Sequence, residues 1–137
     1  MIIEGYASLF GLPDQMGDVV RAGAFAASLA RRAEPLPMFV EHEPRALAGY
    51  WTEVREDGRG LWMRGLIRDD LAGAARAKRM LARGVDGLSI GFITLVDQRG
   101  ADGRLLLEIE LLEVSIVTHP MQPQARLTFA RAFSRAA

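Results

Sequence analysis

The chain contains no cysteine. Disulfide stapling, thiolate catalysis and thiolate-bound zinc are thereby excluded, and any nucleophile must be an oxygen or a nitrogen. Histidine is almost as scarce: His42 and His119 are the only two, so a histidine base has just two addresses. No run approaches the roughly 18 apolar residues that a membrane span requires. The opening "MIIEGYASLF" carries an acid where a signal peptide would carry basic residues, so a soluble, non-secreted chain with no membrane partner is the expectation. An excess of one charge is lacking too. Lys plus Arg number 17 and Asp plus Glu number 17, a balance that suggests neither disorder nor general nucleic-acid binding. No GxGxxG, P-loop or HExxH spacing occurs, so no cofactor is expected. The triplet "EHE" at positions 41–43 sends neighbouring side chains to opposite faces of a strand, which argues against a metal site there.

What is present fits one compact domain: 137 residues, 50% of them apolar and 25% charged. "IIEGYASLFG" predicts a strand, and "AFAASLARR" from Ala24 to Arg32 predicts a helix that Pro35 and Pro37 forbid from continuing. "PMFVEHEP" is a short apolar run closing on a polar turn. "LAGYWTEVREDGRGLWMRGLIRDD" has the pattern of a β-hairpin turning at "EDGRG", with Leu61, Met63, Gly65 and Ile67 on one face of its second strand. "DDLAGAARAKRMLARG" predicts a helix that stops at Gly84, with its cations on a solvated face rather than a nucleic-acid contact. "LSIGFITLVD" and "RLLLEIELLEVSIVTHP", separated by "QRGADG", are expected to be antiparallel neighbours. The tail "RLTFARAFSRAA" adds a short strand or a frayed helix. Five or six strands and two helices predict an α+β domain with a strongly twisted or closed sheet.

Three residues stand out chemically. His42 sits where an apolar strand meets a turn, a placement that suits a reactive group as well as an ordinary surface histidine. In the last long strand, period two places Glu113 on a face with Leu105, Leu107, Ile109, Leu111, Ser115 and Val117. A carboxylate there is costly to desolvate unless it meets a donor such as an imidazole N–H. The alternative is a β-bulge that turns Glu113 outward. Ser89, in "DGLSIGF", is either a nucleophile or a small residue beginning a strand. Gly87 and Gly91 on either side would leave room for a substrate backbone. A serine hydroxyl needs a base to take its proton, and the base works better when a third group orients it.

The order of motifs then carries a resemblance. "GYASLFG", "GDVVRAGAF", "EHE" with "AGYWTEVREDGRGLWMRGLI", "GLSIGF" and "LLEVSIVTHPMQPQA", running from Gly5 to Ala125, resemble the prohead protease family of tailed phages. The resemblance implies a serine endopeptidase that processes capsid and scaffold proteins, and itself, inside an immature phage or phage-like head in the cytoplasm. It also implies a fold similar to herpesvirus assemblin, a twisted, largely antiparallel β-barrel wrapped by a few helices. The protease domain would cover residues 1–128 and a short tail 129–137. On this resemblance the histidine falls on His42, the serine on Ser89, and Glu113 takes the place of assemblin's second histidine. His119, after the strand, is expected to be a loop residue. Major capsid protein and scaffold segments are the implied partners, and a homodimer is implied because assemblin relatives act as dimers. Two departures stand beside this. Assemblin's oxyanion arginines follow its last catalytic strand, where "THPMQPQ" has none, and the short chain leads to the expectation that a scaffold-like C-terminal extension was either never encoded or removed by self-cleavage. They leave room for a non-catalytic assembly protein that keeps the protease fold.

Overall fold

The computed structural model describes residues 1–131. Among the described residues, eight strands and two helices follow in the order β1 (Ile2–Leu9), β2 (Val19–Val20), α1 (Ala26–Arg31), β3 (Leu36–Val40), β4 (Glu43–Glu56), β5 (Gly60–Ile67), α2 (Ala74–Ala82), β6 (Gly87–Gly100), β7 (Gly103–Val117) and β8 (Leu127–Arg131). The tail thus supplies a strand as far as Arg131, paired with β1. The rest of the expected tail, 132–137, lies outside the described residues. No helix among the described residues is long and apolar enough to cross a membrane.

One twisted sheet contains every strand, hydrogen-bonded in the order β2-β7-β3-β4-β5-β1-β8 with β6 on the other edge of β7. Most pairings are antiparallel, whereas β2 and β3 both run parallel to β7. The predicted antiparallel pair β6 and β7 is the longest ladder, joining Gly87 opposite Val117 to Gly100 opposite Gly103. The expected barrel closure is not confirmed. An isolated bridge between Gly87 and Arg126 brings β6 towards the start of β8, and no ladder continues from it.

Strand β7 organises the fold because both its edges are used. Between β2 and β3 its free edge is capped by the α1 segment: Ile109 N–H donates to Ala24 O at 3.0 Å, Leu111 N–H to the buried Ser28 hydroxyl at 2.9 Å, and Arg32 Nη1 to Leu111 O at 3.2 Å. Helix α2 begins later than the predicted Asp69, since Arg68 N–H to Ala48 O and Gly73 N–H to Leu47 O hold the preceding turns against β4. Its end is as predicted. Gly84, at φ +88°, donates to Leu81 O while Val85 donates to Met80 O, the paired bonds of a Schellman stop.

The core is built mainly by the strands, from Ile3, Leu36, Met38, Trp51, Leu61, Met63 and Ile116, with Phe25 added from the start of α1. Leu61, Met63, Gly65 and Ile67 of β5 all point inward, as the period-two pattern requires. Gly65 must lack a side chain, because a Cβ there would stand 2.6 Å from both Met38 and Trp51. The Trp51 indole N–H donates to Val114 O at 3.0 Å, satisfying its polar end inside the core one residue from Glu113.

Candidate active site

His42 is delivered by a strained turn. Val40 of β3 pairs with Glu43 of β4, so Glu41 and His42 alone make the connection. Both have left-handed backbones, φ 52° and 59°, the sign pattern of a type I′ hairpin that glycine and asparagine usually occupy. Such backbone costs on the order of 1–3 kcal/mol per residue and persists only where its surroundings hold it. Here they do. Glu41 N–H donates to Ile116 O at 3.0 Å, His42 N–H donates to the Ser115 hydroxyl at 3.1 Å, and Glu41 Oε1 accepts from the Thr118 N–H at 2.6 Å.

Glu113 is buried on the face of β7 opposite to Val114 and Ile116, which enter the hydrophobic core, so it does not share a face with Ile109 and Leu111 as the unbroken period of two predicts. The ladder slips by one residue between Gly91 opposite Glu113 and Phe92 opposite Leu111. The anticipated bulge therefore exists and moves Glu113 off the core face, since Ile109 and Leu111 enter the core before it and Val114 and Ile116 after it, yet it is Leu112 that is exposed while Glu113 stays buried. The carboxylate is satisfied at both oxygens: Oε1 lies 2.5 Å from His42 Nδ1, and Oε2 accepts from the Ser115 hydroxyl at 2.7 Å. The hydrogen bond to Glu113 is the main cause that raises the His42 pKa above its usual 6.5; partial burial opposes it, and the Glu113 and Glu41 charges add to it. The imidazole keeps 42% of its side-chain surface open while Glu113 keeps 10%. The ring is therefore accessible to a reactant and its partner is not.

Ser89 stands on the same face. In the β6–β7 register it is the direct partner of Ser115, two positions from Gly91 opposite Glu113, which places the three side-chain positions on one side of the sheet. Ser89 and His42 line one cavity of about 120 Å³ together with Ala7, Leu88, Phe92 and Gln122. Glu113 and His42 are in contact, whereas no hydrogen bond joins His42 to the Ser89 hydroxyl among the described residues, a looseness common in unliganded sites.

The glycines have a different purpose from the one expected. A Cβ on Gly91 would lie 2.2 Å from Glu113 Oε1, and one on Gly87 would lie 2.5 Å from Val117 O and 2.9 Å from Pro120. Gly91 makes room for the carboxylate and Gly87 for the chain leaving β7, so the clearance serves the protein's own parts rather than a substrate backbone. The "EHE" triplet does not lie along a strand as expected: Glu41 and His42 form the turn and only Glu43 begins β4, so the side chains part because Glu41 is held by Thr118 and Glu43 Oε2 meets Arg76 Nη1 at 3.1 Å. His119 lies in the bend after β7, as expected for a loop residue.

Two residues escaped the sequence reading. Ser115 touches both His42 and Glu113; its signal was a second polar residue two positions from Glu113 in an otherwise apolar strand. Gln122 is buried in the cavity wall, where Oε1 accepts from Leu9 N–H at 2.6 Å and Nε2 donates to Leu9 O at 2.9 Å and Leu12 O at 3.0 Å. Those bonds tie the loop after β7 to the end of β1, and nothing in "THPMQPQ" announces them. The arginine that follows this loop is committed elsewhere: Arg126 Nη1 meets Asp86 Oδ1 and Nε meets Pro123 O, both at 2.8 Å.

Known proteins resemble this chain in sequence and in fold. The sequence profile of the caudovirus prohead serine proteases matches residues 1–136. The prohead protease of Enterobacteria phage HK97 is 37% identical over 129 residues, which make up 90% of this chain and 57% of that protein. The chain thus spans less than two thirds of that relative's length. Among solved structures, the bacteriophage T4 capsid assembly protease superposes with a TM-score of 0.69 at 14% identity, over 85% of this chain and 80% of the other. The protease of Kaposi's sarcoma-associated herpesvirus, bound to a hexapeptide phosphonate inhibitor, gives 0.68 at 16% identity, over 96% and 65%. At such identities the structural likeness concerns the fold, which is that of the herpesvirus proteases.

Proposed function

The chain belongs to the caudovirus prohead serine protease family, and from that premise we propose that it is a serine endopeptidase with Ser89 as nucleophile, His42 as general base and Glu113 as the group that orients the base. The observation that carries the reading is the 2.5 Å contact of Glu113 with His42 Nδ1 on the sheet face that bears Ser89. With Nδ1–H donated to the carboxylate, the tautomer leaves Nε2 free to accept a proton. His42 Nε2 takes the Ser89 Oγ proton as the oxygen bonds to the scissile carbonyl carbon. The imidazolium, stabilised by Glu113, returns that proton to the leaving amine as the C–N bond breaks. Water, deprotonated by the same nitrogen, then bonds to the acyl carbon, and the proton passes from His42 Nε2 to Ser89 Oγ as the ester C–O bond breaks. The arginine between β7 and β8, Arg126, is engaged with Asp86, which favours backbone N–H groups as the oxyanion donors.

The substrates in this reading are the major capsid protein and scaffold segments of an assembling head, with self-cleavage in addition. Support comes from the HK97 relative, a prohead protease, and from the T4 neighbour, a capsid assembly protease. A homodimer, checked by sedimentation, belongs to the same proposal. The test is coexpression of the chain with its capsid protein: processing is expected with the native sequence and not with Ser89→Ala. Capsid that is processed equally by both would remove Ser89 from the nucleophile's place. Particles that assemble correctly without any processing would instead favour a non-catalytic assembly protein.

A further inference from the structure

Ser115 is fully buried in β7 between Val114 and Ile116, and a hydroxyl so placed must find partners within the protein. A serine oxygen has one proton to donate and lone pairs to accept. Here one atom uses both: it donates to Glu113 Oε2 at 2.7 Å and accepts the His42 main-chain N–H at 3.1 Å. The first bond stops the carboxylate from rotating away from Nδ1, because its two oxygens are then held by different elements. The second fixes the left-handed backbone of His42, at φ 59°, and with it the direction in which the imidazole leaves the turn. The same position is the cross-strand partner of Ser89.

From this geometry we infer that Ser115 is a positioning residue for the reaction, setting the Glu113 carboxylate and the His42 backbone through a single hydroxyl. The inference rests on the hydrolase reading above. Ser115 itself touches no substrate. Its removal would leave a buried carboxylate oxygen and a main-chain N–H without partners and let the imidazole swing.

Ser115→Ala and the size-matched Ser115→Cys, a poor hydrogen-bond donor, are compared with the native chain by inactivation with a fluorophosphonate and by proton NMR of the His42 Nδ1–H. The maximal inactivation rate is expected to fall on the order of 10- to 100-fold in both variants, with the half-saturating probe concentration unchanged within about twofold. The native chain should show a strongly deshielded Nδ1 proton that moves upfield or broadens away in both variants. A hydroxyl that only fills space predicts that Ser115→Cys keeps both rate and resonance, and that result would overturn the inference. So would failure of both variants to fold, which would make the hydroxyl a stability element. If the native chain does not react with the probe, yet its deshielded proton is present and is lost in the folded variants, the hydrolase reading fails and the positioning role stands.

Discussion

Glu113 Oε1 lies 2.5 Å from His42 Nδ1, although 71 residues separate the two along the chain. The contact exists because β3 runs parallel to β7, with Phe39 beside Ser115 and Val40 beside Ile116. The turn that follows Val40 therefore folds back over the stretch of β7 that carries Glu113. Shape and charge agree at this point: a buried carboxylate gains the donor it needs, and a half-exposed imidazole gains a fixed tautomer.

Ser89→Ala should abolish fluorophosphonate labelling while leaving thermal stability nearly unchanged. The hydroxyl has no hydrogen-bond partner among the described residues, so its loss orphans nothing inside the protein. Labelling of the alanine variant at the native rate would place the nucleophile elsewhere.

The raised pKa of His42 predicts the pH dependence. The base must be neutral to accept the Ser89 proton, so the inactivation rate is expected to fall as pH drops through a value above the ordinary histidine 6.5. Glu113→Gln removes the main cause of the shift. The acidic limb should then move to lower pH, with a plateau lower on the order of 10³- to 10⁴-fold. A limb that stays in place would mean that another group controls it.

The same shift links stability to pH. A histidine whose pKa is raised on folding binds its proton more tightly in the native state. Its stabilisation is therefore complete below the unfolded value of about 6.5 and disappears as pH rises through the higher folded value. Denaturant midpoints of the native chain and Glu113→Gln, measured as pH increases through neutrality, are expected to converge in this respect as the proton leaves.

Gly91→Ala tests the clearance that Glu113 requires. The new methyl would lie 2.2 Å from Glu113 Oε1, so the carboxylate must move off Nδ1, and the labelling rate should fall on the order of 100-fold. Gly58→Ala, where a Cβ meets nothing within 4 Å, is the control and should leave the rate unchanged.

Gln122→Ala should unfasten the loop after β7 from the end of β1. Three hydrogen bonds are lost and buried backbone groups of Leu9 are left unpaired, a cost of about 1–3 kcal/mol. Chemical denaturation measures it, and a change below the error of that measurement would show that water replaces the amide without penalty.

Much of this protein is determined by local pattern alone. The period-two alternation of β5, the glycine stop of α2 and the long pairing of β6 with β7 follow from side-chain spacing and turn chemistry, which act over a few residues. The scarcity of histidine and the odd carboxylate on an apolar strand bring His42 and Glu113 forward as candidates, whereas Ser89 comes forward through its glycine flanks and the family resemblance. Other features depend on partners distant in sequence, and only the tertiary structure decided them. Whether the slip in β7 would expel Glu113 or Leu112 was settled by Gly91 across the ladder, since the missing side chain leaves a space that the carboxylate fills. The two-residue β2 is a strand only because β7 lies beside it, and the sheet stays open because one bridge between Gly87 and Arg126 extends into no ladder. Ser115 gains its part in the same way: its hydroxyl has meaning only once the turn at His42, 73 residues away in the chain, is folded against it.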